Sequence, residues 1–179
     1  MALKSTVFKA DLQVNDMDRH HYGLYPLTLA RHPSETDERM MVRLLAFAFH
    51  ADERLIFGKG LCDEDEPDLW KKDLTGVIEE WVEVGLPDER RLRKAAGRAR
   101  AVRVYAYGAR AVEVWWQANK SAFARLDNLT VYQLPSHTTE AATALVERTM
   151  QLQFNLADGE AWLGKGEVLV PIERLCLTA

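Results

Sequence analysis

The 179-residue chain sets 23 Lys and Arg against 27 Asp and Glu, a formal net charge of −4, with 47% hydrophobic residues, 10 Gly and 6 Pro. These proportions describe one globular domain over residues 1–179 and exclude a disordered acidic tail, a fibrous repeat and a uniformly basic nucleic-acid coat. The charge is nonetheless divided: Asp63 to Glu89 carries eleven acids and two bases, net −9, and Arg90 to Arg125 carries ten bases and one acid, net +9.

No apolar run approaches the roughly 18–20 residues of a spanning helix, since even Met40–Phe49 is interrupted by Arg43. The first residues lack a charged-then-apolar leader, and Cys62 and Cys176 are too few for a disulfide framework. A cytoplasmic location, reduced thiols and no membrane contact are expected.

In chain order, Leu3–Val14 alternates apolar and polar residues as a strand does, and Tyr22–Ala30 is placed to return as its hairpin partner. Ser34, with Asp37 three residues on, predicts a capped helix running to about His50, buried through Met41, Leu44, Leu45 and Ala48. Glu38 lies three residues before Met41 and seven before Leu45, so helical spacing turns it toward the core side. Leu55–Leu61 reads as a short strand, and Cys62–Asp73 as an acidic connection with one helical turn around Pro67–Trp70.

Val77–Val84 is the next strand, with Glu79, Trp81 and Glu83 on one face. Gly85 and Pro87 break it and start a helix from Asp88 to about Arg100, with Leu92, Ala95, Ala96 and Ala99 along one stripe. Strands Ala101–Tyr107 and Leu129–Leu134 flank a helix Arg110–Arg125, in which the adjacent Trp115 and Trp116 cannot both be central. A helix Thr138–Arg148 precedes strands Met150–Leu156, Glu160–Leu163 and Val168–Ile172, the first two joined through Asp158-Gly159, a hairpin signal. The fold class is α/β, a mixed sheet flanked by helices, with an added N-terminal hairpin and C-terminal strands.

Histidines and cysteines have no metal-ligand spacing, and no glycine-rich phosphate loop or GxSxG elbow occurs. What remains is acids beside bases. That combination suits phosphodiester hydrolysis, in which carboxylates hold Mg²⁺ and a Lys or Arg meets the charge developing on phosphorus. Glu38 on a helix, Glu83 at a strand end, and Arg91 and Lys94 on the following helix are the residues in that order.

Arg31-His32-Pro33-Ser34-Glu35-Thr36-Asp37-Glu38-Arg39-Met40-Met41, Ala51-Asp52-Glu53-Arg54-Leu55, Gly60-Leu61-Cys62, Asp65-Glu66-Pro67 and Trp81-Val82-Glu83-Val84-Gly85-Leu86-Pro87-Asp88-Glu89-Arg90-Arg91 resemble the bacterial YaeQ family. Tyr107, Trp115-Trp116 and Arg148-Thr149-Met150 extend the resemblance over essentially the whole chain. It implies a variant of the PD-(D/E)XK restriction-endonuclease-like core, a class of Mg²⁺-dependent nucleases. Glu38 matches the acid that this superfamily often carries on its first core helix, and Glu83 the acid of the strand motif.

The motif lysine is missing, because position 85 is glycine. The resemblance makes Lys94 its substitute and Arg91 the runner-up, although helical spacing turns Lys94 away from the Leu92, Ala95, Ala99 stripe. Pro67-Asp68 spells the first motif letters, but in an expected helical turn. Glu79 shares the strand face of Glu83 at a distance of about 13 Å, which suits a supporting role, and Asp63 and Asp65 stay open.

The expected metal set is therefore Glu38, Glu83 and Glu79 with Mg²⁺, and the expected catalytic bases are Lys94 and Arg91. Arg90, Arg93 and Tyr107, with Trp81 as an alternative stacking ring, are candidates for nucleic-acid contact. Two functions are compatible with these residues: a metal-dependent nuclease-like phosphodiesterase, or a binding or regulatory protein that keeps the fold and contacts nucleic acid or another protein.

Overall fold

The computed structural model describes residues 4–178. Leu3, where the first strand is expected to begin, lies outside them. The first half of the chain runs β1 (Thr6–Asp16), β2 (His21–Arg31), α1 (Asp37–Phe49), β3 (Leu55–Phe57), a 3-10 turn (Gly60–Cys62), β4 (Leu69–Lys72) and β5 (Ile78–Val84). The second half runs α2 (Glu89–Arg98), β6 (Ala99–Ala106), α3 (Arg110–Phe123), β7 (Leu129–Gln133), α4 (Ser136–Thr143), β8 (Thr149–Ala157), β9 (Glu160–Lys165), β10 (Val168–Ile172) and β11 (Leu175–Cys176). The α/β class holds, but the strands divide between two mixed sheets.

The chain forms two compact units, one of residues up to Ala51 with His137–Glu173, the other of Asp52–Ser136 with the residues from Arg174 on. In the first, the sheet order is β10-β9-β8-β1-β2. The expected hairpin pairs Thr6 with Arg31 through to Asp16 with His21, and β8 joins β1 in parallel. Asp158 and Gly159 both take positive φ, the geometry of a tight hairpin turn, and join β8 to β9.

Helix α1 is capped two residues later than Ser34, by Thr36, whose hydroxyl accepts from Arg39 N at 3.1 Å. Every residue from Met40 to Phe49 is buried, Arg43 included. Phe47 meets Tyr25 and Phe49 meets Phe154 edge to face. No helix among the described residues is long and apolar enough to cross a membrane.

The second unit has the sheet order β11-β7-β6-β5-β4-β3, with β5, β6 and β7 parallel and connected by α2 and α3. Leu92 and Ala95 of α2 and Val112 and Phe123 of α3 pack with Trp81, Val102, Val104 and Val131 of the sheet in one apolar core. Trp115 and Trp116 are both half-buried at its margin, and Trp115 Nε1 donates to Pro87 O at 2.8 Å.

The expected helical turn at Pro67–Trp70 is instead the entry to β4, which runs antiparallel to β5. Four residues are too short for a period-2 pattern to declare a strand, and Pro67 resembled a helix starter. Gly60–Cys62, whose first two residues are expected in a strand, forms the 3-10 turn.

Candidate functional site

Strand β4 pairs Leu69 with Val82, so the same register continued by one residue brings Asp68 opposite Glu83. Both carboxylates are buried, Asp68 being 2% exposed and Glu83 4%. Asp68 Oδ2 accepts from Val84 N at 2.8 Å. Glu83 Oε1 accepts from Trp81 Nε1 and from Arg91 Nε, each at 2.7 Å. Burial, and then the charge of Asp68, push the Glu83 carboxyl above its ordinary value, while Arg91 and Trp81 pull the other way.

Arg91 reaches this point because Asp88 caps α2, its Oδ1 accepting from Arg91 N at 2.8 Å, which sets the helix start directly beyond the end of β5. Its guanidinium also donates from Nη1 to Glu64 O at 3.1 Å and from Nη2 to Glu66 O at 3.0 Å. Glu64, Asp88, Arg90, Arg91 and Lys94 line a cleft of about 210 Å³ here. Gly85 ends the strand at φ +106 and donates to Tyr105 O at 3.0 Å. A side chain in the position of the motif lysine would strain that backbone.

The other expected site residues distribute differently. Glu79 leaves the face of Glu83 because the pairing shifts from Lys71 with Glu80 to Lys72 with Ile78, which makes Glu79 the extra residue of a β-bulge. Glu79 and Glu80 then both approach Lys71 Nζ, at 4.0 and 3.9 Å, and Glu79 also pairs with Arg54 at 3.0 Å. An ideal strand alternates, and only the bulge reverses the phase.

Glu38 is half-buried in the first unit, where its Oε1 accepts from Thr139 Oγ1 at 2.7 Å. Lys94 is exposed and pairs with Asp65, on the side of α2 that the helical spacing assigns to it. Arg93 pairs with Glu89 on the exposed side of α2, Arg90 is exposed and Tyr107 half-buried. Trp81 is 1% exposed, with Arg98 over its ring at 5.0 Å, so it is core and offers no free stacking face.

Asp68 is a residue of the site that an expected helical turn at Pro67–Trp70 conceals. The Pro-Asp letters were the available signal, and its pairing with Glu83 required knowing that residue 69 opens a strand.

The fold and site define a mixed α/β protein with a buried acid pair and an arginine where a strand passes into a helix. The chain belongs to the YaeQ family: residues 1–174 match the family described as YaeQ protein. It is 48% identical over 163 residues to the uncharacterized protein YaeQ of Escherichia coli (strain K12), covering 91% of this chain and 90% of that protein. The crystal structure of YaeQ protein from Xanthomonas axonopodis pv. citri is similar with a TM-score of 0.94 and 48% identity, covering 98% of this chain and 99% of that one. The YaeQ protein from Pseudomonas syringae gives a TM-score of 0.93 at 36% identity, covering 98% and 97%.

Proposed function

We propose that the chain is a divalent-metal-dependent phosphodiesterase acting on nucleic acid, built on a variant of the PD-(D/E)XK core. The observation that carries this reading is two buried acids, Asp68 immediately before β4 and Glu83 on the adjoining β5, near enough for the charge of Asp68 to act on Glu83, with Arg91 bonded to Glu83. A buried carboxylate whose ionisation is opposed by burial and by a neighbouring acid, as that of Glu83 is, is an arrangement that a divalent cation relieves.

Asp68 and Glu83 are hard oxygen donors, the kind that Mg²⁺ takes. Among the described residues no three of His, Cys, Asp and Glu gather as a metal cluster. Mg²⁺ needs only one or two carboxylates, the remainder being water and substrate phosphate. Asp68 and Glu83 would hold it, and the chemistry it would supply when bound is activation of a water and neutralisation of the leaving oxygen. Trp81 and Arg91 fix the Glu83 carboxylate by one oxygen, and Val84 N fixes Asp68, so both acids are positioned before any ligand arrives. Arg91 takes the part of the missing lysine, as a permanent cation that meets the charge on phosphorus.

One observation favours the second reading, a non-catalytic nucleic-acid- or protein-binding protein: the guanidinium of Arg91 already compensates Glu83. Mg²⁺ and Mn²⁺ titrations separate the two. The catalytic reading expects a melting temperature that rises with the metal, and cleavage of DNA or RNA that Glu83→Gln and Asp68→Asn abolish. No stabilisation and no cleavage with either metal leaves the binding protein.

A further inference from the structure

The acidic run before α2 is not a loose solvated loop. Its base is closed by Gly58 N donating to Asp68 O at 2.9 Å and Gly60 N to Pro67 O at 3.2 Å. A Cβ on Gly58 would stand 2.3 Å from Pro67 O, and one on Gly60, at φ +48, would stand 2.6 Å from Asp68 Oδ1. Glycine at both positions lets the loop root directly on the candidate site.

Its tip lies on the basic helix. The main-chain oxygens of Glu64, Asp65 and Glu66 accept from Arg91 Nη1, Arg98 Nη1 and Arg91 Nη2 at 3.0–3.1 Å. Lys94 Nζ pairs with the Asp65 carboxylate, whose hydrogen bond and charge hold Asp65 below the ordinary aspartate range. Three cations of α2 are thus engaged by one short acidic segment. The two terminal nitrogens of Arg91, the fork that grips a phosphate bidentately, face loop carbonyls while its Nε stays on Glu83.

We infer that residues 59–66 are an electrostatic lid that competes with the phosphate backbone of a nucleic acid for Arg91, Lys94 and Arg98. This rests on the phosphodiesterase reading for the class of ligand and adds the regulation of that site. Bonds at an exposed surface are weak one by one. A strand offering many phosphates, with release of its counterions, displaces them together. Opening frees the Arg91 fork without removing Arg91 from Glu83, so substrate arrival itself completes the site.

The test uses the full chain, a fluorescein-labelled single-stranded DNA of about 20 nucleotides read by anisotropy, and hydrogen–deuterium exchange. Asp65→Lys, which sets a like charge against Lys94 and Arg98, tightens binding about five- to ten-fold at low salt. Glu160→Lys, the same charge change at an exposed residue of β9, changes it less than about two-fold. DNA raises exchange in 59–66 while it protects α2.

Unchanged or weaker binding by Asp65→Lys, an equal gain from Glu160→Lys, DNA binding without faster exchange in 59–66, or no DNA binding by either wild type or Asp65→Lys overturns the lid. Tighter binding and an opened segment without metal-dependent cleavage keep the lid and sink the hydrolytic reading. Cleavage that depends on Glu83, with Asp65→Lys indifferent, does the reverse.

Discussion

Each unit contains a buried glutamate bonded to an arginine near a helix N-terminus, and the two pairs are built differently. In the first, Arg43 grips both oxygens of Glu35, Nε to Oε1 at 2.7 Å and Nη2 to Oε2 at 2.8 Å, and Arg39 adds a bond to Oε1 at 3.0 Å. Arg43 also donates to Ala30 O, tying α1 to β2. In the second, Arg91 gives Glu83 a single Nε bond, directs its fork to loop carbonyls and is 24% exposed, with a second acid, Asp68, close by. The first pair is saturated, and its geometry is that of a fastening. The second is a carboxylate held by one oxygen beside another acid, and its cation keeps an exit to solvent.

Removing one partner separates the two most strongly. Glu35→Ala removes the carboxylate that Arg43 grips in the core and costs about 3–5 kcal/mol, as breaking a buried pair does, whereas Arg91→Ala costs less than half of that. Urea unfolding of the two variants checks the ranking, and equal losses would erase the distinction.

Next in size is Asp68→Ala, which removes the carboxylate that accepts from the buried Val84 N–H and costs about 1–3 kcal/mol. Asp68→Asn keeps an acceptor oxygen and retains most of that stability. Asp88→Ala, which removes the cap that aims Arg91, costs about 1 kcal/mol by the same measurement.

The smallest effect is one of pH. Burial first, and Asp68 second, raise Glu83 above the ordinary glutamate value, so the folded chain keeps a proton that the unfolded chain gives up. This stabilisation is complete below the ordinary value and is lost as pH climbs through the raised one. Glu83→Gln removes that fall, visible as a flatter dependence of the unfolding midpoint on pH. Asp68→Asn moves the Glu83 carboxyl titration, followed by carbon-detected NMR, downward. A Glu83 midpoint at or below that of exposed glutamates would make the second pair a fastening like the first.

Much of this was legible in the residues. The N-terminal hairpin, α1, β5, α2, β6, α3 and β7 follow from periodicity and punctuation, and Glu83 and Arg91 stand together because a strand end and a capped helix start are local signals. Less legible was β4, whose four residues leave no periodic trace, and with it the partner of Glu83. The bulge at Glu79 was hidden for a related reason: an extra residue in a strand leaves composition unchanged and alters only which face the neighbouring side chains take.

From the order of residues alone follow the α/β class, the family, the acid-to-base switch between Glu83 and Lys94, and the absence of a lysine at position 85. Those are properties of residue type and short spacing. Folding in three dimensions splits the strands into two sheets, sets Asp68 and not Glu79 near Glu83, and lays the acidic run on the bases of α2. Strand partners and ion pairs between residues far apart in the chain are chosen by which backbones hydrogen-bond across a sheet and by where a helix cap sets its first turn. No local pattern encodes that choice.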